Sequence, residues 1–151
     1  MIKKATYRPA VFVAIYKKQE GKIFYLVLKR KKHWKGWEFT KGGVDSGESY
    51  LQTAKRECYE ESGLKPIKLM KFRQRGKYRY SKTLNDRPGY IGQTYKLFAA
   101  QVNDNLGKKQ IKIDKKEHST YRWLEFNQAF KILRWGSQKK CLKIVNNFLT
   151  R

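Results

Sequence analysis

The sequence predicts an α/β domain in which a mixed sheet lies between helices. Three observations support this fold class: the order of the predicted elements, the chain length and the composition. Strands come first, followed by one helix, further strands and two terminal helices, an order typical of a sheet covered by helices. The 151 residues fit a single domain, 1–151, and a hydrophobic content of 40% is sufficient for a folded core.

The first predicted elements form a β-hairpin. Residues 9–16 are mostly apolar, as in a buried strand, and residues 22–30 form a second strand. Glu20 and Gly21 provide the turn between them. A loop and a short strand then occupy residues 31–43 and lead into a glycine-rich, acidic segment.

One helix follows, and both of its ends are recognisable. Ser49 and Gln52 are spaced as in a capping box, which marks the start of a helix. Gly63 suits the left-handed position after the last turn, and Pro66 prevents continuation. We expect this helix to pack on the sheet through an apolar stripe. The stripe consists of Leu51, Ala54 and Cys58.

After this helix the chain returns to strand patterns and ends in two helices. The predicted strands cover 66–74, 76–82, 93–102 and 121–124, and the predicted helices cover 127–133 and 138–149. Turn-forming residues at 75–76 and 85–89 separate the first three of these strands, and a polar segment, 103–116, follows them. The last helix shows an apolar face formed by Cys141, Ile144, Val145 and Phe148.

The central helix also has an acidic face. Glu57, Glu60 and Glu61 lie at i, i+3 and i+4, so a helix presents all three on one side. Like charges at this spacing destabilise a helix unless a cation compensates them. Convergent carboxylates suit Mg²⁺, with Mn²⁺ as a possible substitute. The alternative is an exposed helix whose charges are simply solvated.

Segment 42–64 resembles the Nudix box. The matching residues are Gly42, Glu48, Arg56, Glu57, Cys58, Glu60, Glu61, Gly63 and Leu64. Only Cys58 departs from the pattern, where an aliphatic residue is usual. The resemblance implies a Nudix-type α/β/α sandwich with a mixed central sheet. It also implies an enzyme in which divalent cations bridge a diphosphate while water attacks phosphorus.

The resemblance further implies roles for single side chains. Glu60 and Glu61 correspond to metal ligands, and Glu57 corresponds to a ligand or to the base for the attacking water. Glu48 corresponds to an auxiliary ligand that acts through water. Arg56 would steady these carboxylates from the adjacent turn.

Segment 37–43 resembles the corresponding stretch of diadenosine tetraphosphate hydrolases, except that Thr40 stands where proline is usual. By this resemblance Lys41 contacts a phosphate and offers its carbonyl to the metal, and Gly42 and Gly43 face the phosphates. The alternative for Lys41 is an ordinary surface lysine. Segment 117–124 also resembles these hydrolases, which implies that Glu117 approaches the metals as a ligand or base.

The pair Gly92 and Gln93 resembles a feature of dinucleoside polyphosphate hydrolases and of the related RNA 5′-pyrophosphohydrolases. We therefore expect Gln93 to contact substrate. Several nearby tyrosines offer faces on which a base can stack. These are Tyr78, Tyr80, Tyr90 and Tyr95. The alternative is that such tyrosines are core residues at alternate strand positions.

The formal net charge of +24 indicates a polyanionic partner, such as RNA or a phosphate-rich substrate. The alternative is that lysine only keeps the surface soluble. Cys58 and Cys141 are expected to be reduced, as in a cytoplasmic protein, and His33 and His118 are too few for a zinc site. No apolar run reaches the length of a membrane helix, and we expect a monomer.

The leading hypothesis is a Mg²⁺-dependent Nudix pyrophosphohydrolase that cleaves dinucleoside polyphosphates such as diadenosine tetraphosphate. One alternative keeps the reaction but changes the substrate to the triphosphate 5′ end of RNA. Small oxidised nucleoside triphosphates are a third possible substrate. An alternative of another class is a Nudix module that binds RNA without turnover.

Overall fold

The computed structural model describes residues 6–82, 84–103 and 111–151. Within these ranges the chain forms seven strands and three helices. The strands are β1 Thr6–Gln19, β2 Lys22–Arg30, β3 Gly36–Glu38, β4 Thr40–Gly43, β5 Lys68–Arg79, β6 Tyr90–Gln101 and β7 His118–Leu124. The helices are α1 Tyr50–Ser62, α2 Phe126–Ile132 and α3 Gly136–Leu149.

All seven strands belong to one sheet, in the order β3-β2-β1-β6-β5, with β4 pairing β1 and β7 pairing β2. The sheet is mixed, since β1 and β6 run parallel whereas the other pairs are antiparallel. Strand β1 is central because its apolar residues are buried on both faces. The predicted fold class is therefore confirmed.

Helices cover both faces of the sheet, and each face has its own core. Helix α1 packs through Ala54 and Cys58 on one face, beside Val11, Val13 and Phe98. Helices α2 and α3 cover the other face, where their apolar side chains pack against β1 and β6. Both cysteines are buried as free thiols on opposite faces of the sheet. No described helix is long and apolar enough to span a membrane.

Two details of the prediction were wrong. The predicted strands 66–74 and 76–82 form one strand, β5, because a register shift between Lys71 and Arg75 lets the pairing with β6 continue. Leu51 is 52% exposed, since the face of α1 that meets the sheet starts at Ala54. Phe148 is 41% exposed, but its ring packs edge-on against Phe72 of β5, with 5.5 Å between the ring centroids. Residues 104–110 of the predicted polar segment lie outside the described residues.

Candidate active site

The framework of the site is the connection from β4 into α1. The Ser49 side chain accepts a hydrogen bond from the Gln52 backbone at 3.1 Å, and Gln52 accepts one from the Ser49 backbone at 2.8 Å. At the other end Gly63 is left-handed, with φ 76°, and donates to the Tyr59 carbonyl. These predicted caps hold α1 in a defined position beside β4.

Glycine is required where β4 passes α1. A Cβ added at Gly42 would lie 2.1 Å from Cδ of Glu57, and one added at Gly43 would lie 2.3 Å from Cζ of Arg8. Both residues therefore allow charged side chains to approach the β4 backbone closely. The two glycines that the sequence assigned to phosphate binding are packed against these side chains in the structure.

Arg56 organises the outer part of the acidic face. Its Nε and Nη2 donate to the two oxygens of Glu48 at 2.7 and 2.9 Å. Its Nη1 donates to Glu57 at 2.8 Å and to Glu60 at 3.2 Å, and Nη2 also reaches the Gly43 carbonyl. Hydrogen bonding to Arg56 lowers the pKa of Glu48 to about 2. One guanidinium thus links three predicted metal-site carboxylates.

Glu61 lies at the inner end of the same face and differs from these three. Its side chain is buried, and neither carboxylate oxygen has a hydrogen-bond partner among the described residues. Burial and the charges of Glu57, Glu38 and Glu117 raise its pKa well above the usual value. The nearby Thr40 hydroxyl opposes this rise but forms no hydrogen bond of normal geometry.

The pKa of Glu57 is also raised, although less than that of Glu61. Burial raises its pKa to about 7 despite the bond from Arg56, and Glu60 and Glu117 add to the rise. A buried carboxylate with a raised pKa takes up a proton unless a cation neutralises its charge. When these carboxylates are ionised, the negative charge on the inner part of the acidic face therefore exceeds the positive charge of the surrounding side chains.

Strand β7 brings further ligand atoms to Glu61. Single ligand atoms of Glu61, Glu117 and His118 lie within 4.8 Å of one another. The Nδ1 atom of His118 is buried without a hydrogen-bond partner in the described part of the chain, whereas its Nε2 contacts Glu38 at 2.9 Å. The unpaired oxygens of Glu61 and the neighbouring carboxylates fit a hard divalent cation. Glu57 and Glu60 lie outside this closest group, and both accept hydrogen bonds from Arg56.

A second buried charge cluster lies behind this group, centred on Glu38. Its Oε2 accepts from Arg30 at 3.3 Å and faces His118, and its Oε1 accepts from Trp34 at 3.2 Å and lies 3.4 Å from Lys41 Nζ. Burial alone would raise the pKa of Glu38, but Lys41, His118 and Arg30 lower it to about 2. This carboxylate is fully balanced by the chain itself.

Lys41 connects the Glu38 cluster to an open cavity. Burial lowers the pKa of Lys41 to about 8, although the charge of Glu38 opposes the shift. Its Nζ lies 4.0 Å from the Trp34 ring centroid and lines a cavity of about 340 Å³. The aromatic and cationic walls of this cavity include Trp34, Tyr78, Tyr80, Trp135, Arg79 and Lys82. Aromatic faces beside cations suit a nucleotide.

The tyrosines and Gln93 occupy different places. Tyr78 and Tyr80 line the cavity, but Tyr90, at the start of β6, does not. Tyr95 is buried and stacks on Phe12 at 4.0 Å, so its predicted role in base stacking was wrong: the ring belongs to the core. Gln93 is buried too, and its oxygen accepts from Arg8, Tyr80 and Arg87. It therefore positions Tyr80 and Arg87 at the cavity.

Comparison with known families decides the identity of this arrangement. The NUDIX domain family matches residues 6–143, which is nearly the whole chain.

The chain belongs to the Nudix family.

Similar proteins agree with this assignment. The RNA pyrophosphohydrolase of Bartonella henselae is 28% identical, with 94% of this chain and 90% of that protein covered. The RNA pyrophosphohydrolase of Francisella philomiragia is 30% identical, with 83% of each covered. The Ap4A hydrolase of C. elegans, solved as a binary complex, has a TM-score of 0.73 at 26% identity and covers 95% of this chain and 98% of its own. The chain is therefore similar to Nudix proteins that are named as hydrolases of phosphate compounds.

Sequence reasoning did not find the inner wall of this Nudix site. Glu38, Arg30, Trp34 and His118 received no role, and His118 was considered only as a zinc ligand. A lone glutamate within the short apolar stretch 37–39 was the available signal, because a carboxylate there must be buried with a cation. Its partners Arg30 and His118 lie 8 and 80 positions away, a distance that local patterns do not bridge.

Proposed function

We propose that this Nudix hydrolase cleaves a phosphoanhydride bond in dinucleoside polyphosphates, with Mg²⁺ as its cofactor. One observation supports this most directly: the buried Glu61 carboxylate, without a partner among the described residues, is linked through His118, Glu38 and Lys41 to an aromatic and cationic cavity of about 340 Å³. The carboxylates suit the ion, and the cavity suits one nucleoside. The polyphosphate would then extend from the cavity to the acidic face of α1.

Glu61 and Glu117 would hold the ion directly, and Glu57 and Glu60 would complete the site from the next turns of α1. When bound, Mg²⁺ neutralises phosphate oxygens and lowers the pKa of a water molecule. Arg56 keeps Glu48, Glu57 and Glu60 in place through hydrogen bonds of 2.7–3.2 Å. Its contribution is orientation rather than contact with substrate.

In this reaction a water oxygen forms a bond to phosphorus while the bridging P–O bond breaks. The water proton passes to a carboxylate, and Glu57, which is buried on the acidic face near Glu61, is the candidate base. The departing phosphate leaves with the bridging oxygen. Lys41, Arg79 and Lys82 line the cavity and would bind the polyphosphate by charge.

A second candidate substrate is the triphosphate 5′ end of RNA. The net charge of +24 favours it, since an RNA chain adds many phosphates to the one end group. The relatives named RNA pyrophosphohydrolase support the same candidate. Binding without turnover has less support, because every carboxylate of the box is present.

The test is turnover by the purified protein on a panel of substrates with Mg²⁺. The panel holds dinucleoside tetraphosphates, a 5′-triphosphate RNA oligomer, and ordinary and oxidised nucleoside triphosphates. We expect the highest kcat/KM on the dinucleotide. Higher kcat/KM on the RNA oligomer would instead select the second candidate. Absence of turnover on every compound would contradict the proposed activity.

A further inference from the structure

Strand β5 has a row of cations that the proposed reaction does not use. The cations occupy alternate positions, so they lie on one face of the strand. We call this set the β5 row; it consists of Lys71, Arg73, Arg75, Lys77 and Arg79. All five are exposed, whereas the residues between them are partly buried.

The row lies at an open edge of the molecule. Strand β5 is the last strand of the sheet beside β6, and its partly buried residues Met70, Phe72 and Tyr78 face the α3 core. The row therefore points to the opposite face. Helix α1 packs there over β1, β4 and β6, and the residues that the structure describes leave the row exposed. Lys96 of β6, paired with Arg75, extends the positive surface towards α1.

These cations contrast with those of the active site. Arg30 and Arg56 each contact two or more carboxylates. By contrast, within the described residues no ion pair joins a member of the β5 row to a carboxylate, and neither β5 nor β6 contains an acidic residue. Lys77 instead lies over the Tyr7 ring, 5.1 Å from its centroid. Adjacent like charges repel, so the surface is suited to a multivalent anion.

The row ends beside the nucleotide cavity, although it lies on the face of β5 opposite to Tyr78, which lines the cavity. Arg79, its last member, lines the cavity together with Lys41 and Tyr80. Alternate residues of a strand are about 6.6 Å apart, so the five cations extend about 26 Å away from the cavity. A row of this length suits a chain of phosphates. A site for a single phosphate would instead need several cationic side chains that point at the same place.

We propose that the β5 row binds the phosphodiester backbone of a single-stranded RNA whose 5′ end passes Arg79 at the edge of β5 into the cavity. This inference rests on the proposed function and concerns its second candidate substrate. A dinucleoside polyphosphate held between the cavity and α1 does not continue past Arg79 along the row. RNA therefore gains contacts that the dinucleotide lacks.

The test compares two triple variants with equal loss of charge. The row variant is Arg73→Gln, Arg75→Gln and Lys77→Gln, which leaves the cavity-lining Arg79 in place. The control variant removes three exposed lysines of α2 and α3. It is Lys131→Gln, Lys140→Gln and Lys143→Gln. Both variants are first checked by thermal melting, and the single change Arg75→Gln replaces the row variant if the triple change unfolds the protein.

Binding is measured by fluorescence anisotropy with a labelled twelve-nucleotide 5′-hydroxyl RNA, without Mg²⁺, across a series of salt concentrations. Losing three phosphate contacts should weaken binding about tenfold or more and reduce the slope of log K against log salt by about 2. The control variant should stay within about twofold of the parent. KM for a 5′-triphosphate oligomer should rise in the row variant, while KM for a dinucleoside tetraphosphate stays unchanged.

Equal effects of the two variants would overturn the proposal, because net charge alone would then explain binding. No effect of the row variant would also overturn it, and would leave the cations as protection of an edge strand against pairing with other chains. Failure of the proposed function gives a different result: the parent then binds the 5′-hydroxyl RNA through the row but hydrolyses no polyphosphate.

Discussion

The molecule contains two buried carboxylate clusters that differ in how their charge is balanced. Glu38 is surrounded by Arg30, Lys41 and His118, and these partners lower its pKa to about 2. Glu61 has no hydrogen-bond partner among the described residues, and burial with neighbouring glutamates raises its pKa. The two clusters meet at His118, whose Nε2 contacts Glu38 and which offers a ring nitrogen within 4.8 Å of ligand atoms of Glu61 and Glu117.

The difference separates a structural charge cluster from a binding site. A buried carboxylate that contacts cations of its own chain stabilises the folded protein in one arrangement. A buried carboxylate without such partners costs stability, which a bound cation can return. Glu38 belongs to the first kind and Glu61 to the second, whereas Glu57 lies between them because it is bonded to Arg56 and still has a pKa raised to about 7. Changes to the two clusters should therefore have opposite consequences for stability and activity.

The largest effect is expected from Glu61→Gln. Losing one negative ligand at the reaction centre should reduce kcat at least about 100-fold. Without metal the variant should be as stable as the parent or more stable, because it removes an unbalanced buried charge. Steady-state kinetics and thermal melting measure both quantities, with the exposed turn change Glu20→Gln as control. Parental activity in Glu61→Gln would contradict the assignment of the site.

Glu38→Gln should mainly affect stability. The change leaves Arg30 and Lys41 buried without their shared carboxylate, and breaking a buried ion pair typically costs about 3 kcal/mol. Urea unfolding at neutral pH measures the free energy of unfolding. A loss below about 0.5 kcal/mol would mean that Glu38 is not the centre of a stabilising cluster.

The pH dependence of stability should follow the glutamates of the metal site. In the metal-free protein Glu57 has a pKa raised from 4.5 to about 7, so between these values the folded state binds more protons than the unfolded state. Stability therefore falls as pH rises, by about 2 kcal/mol between pH 5 and pH 8, since one pKa unit corresponds to about 1.4 kcal/mol. Urea unfolding at several pH values measures this loss.

Two controls accompany the pH experiment. Mg²⁺ should stabilise the protein more at pH 8 than at pH 5, because it replaces the protons. The double change Glu57→Gln and Glu61→Gln should flatten the profile. Glu38, with a pKa lowered to about 2, contributes a constant amount above pH 4.5. Stability that rises between pH 5 and pH 8 without metal would show that the glutamates are not buried as described.

The smallest effect is expected from Ser49→Ala, which removes the N-cap of α1 but touches neither cluster. Loss of a cap typically costs about 1 kcal/mol. The stability of this variant should be lower than that of the parent by the same amount at every pH. A variant whose pH profile differs in shape would show that the cap also positions the glutamates.

The box could be predicted in detail because its contacts are local. Ser49 with Gln52, and Arg56 with Glu48 and Glu60, lie within eight residues of each other, where helix geometry determines which side chains meet. The hairpin β1–β2 followed from residue patterns for the same reason, whereas the mixed sheet was predicted from the order of the elements and the resemblance to the Nudix family. Errors occurred where a strand continued through a register shift, as in β5, and where burial depended on a distant partner, as for Tyr95.

By itself the sequence determined the Nudix box, the caps of α1, the acidic face and the strongly positive charge. Only the tertiary structure decided which glutamates are balanced, since Arg30, Glu38 and His118 meet through the pairing of β2 with β3 and β7. It also decided that Tyr80 lines the cavity while Tyr95 lies in the core, and that the β5 row is exposed. These properties depend on contacts between distant strands, because burial and charge balance are set by neighbours in space.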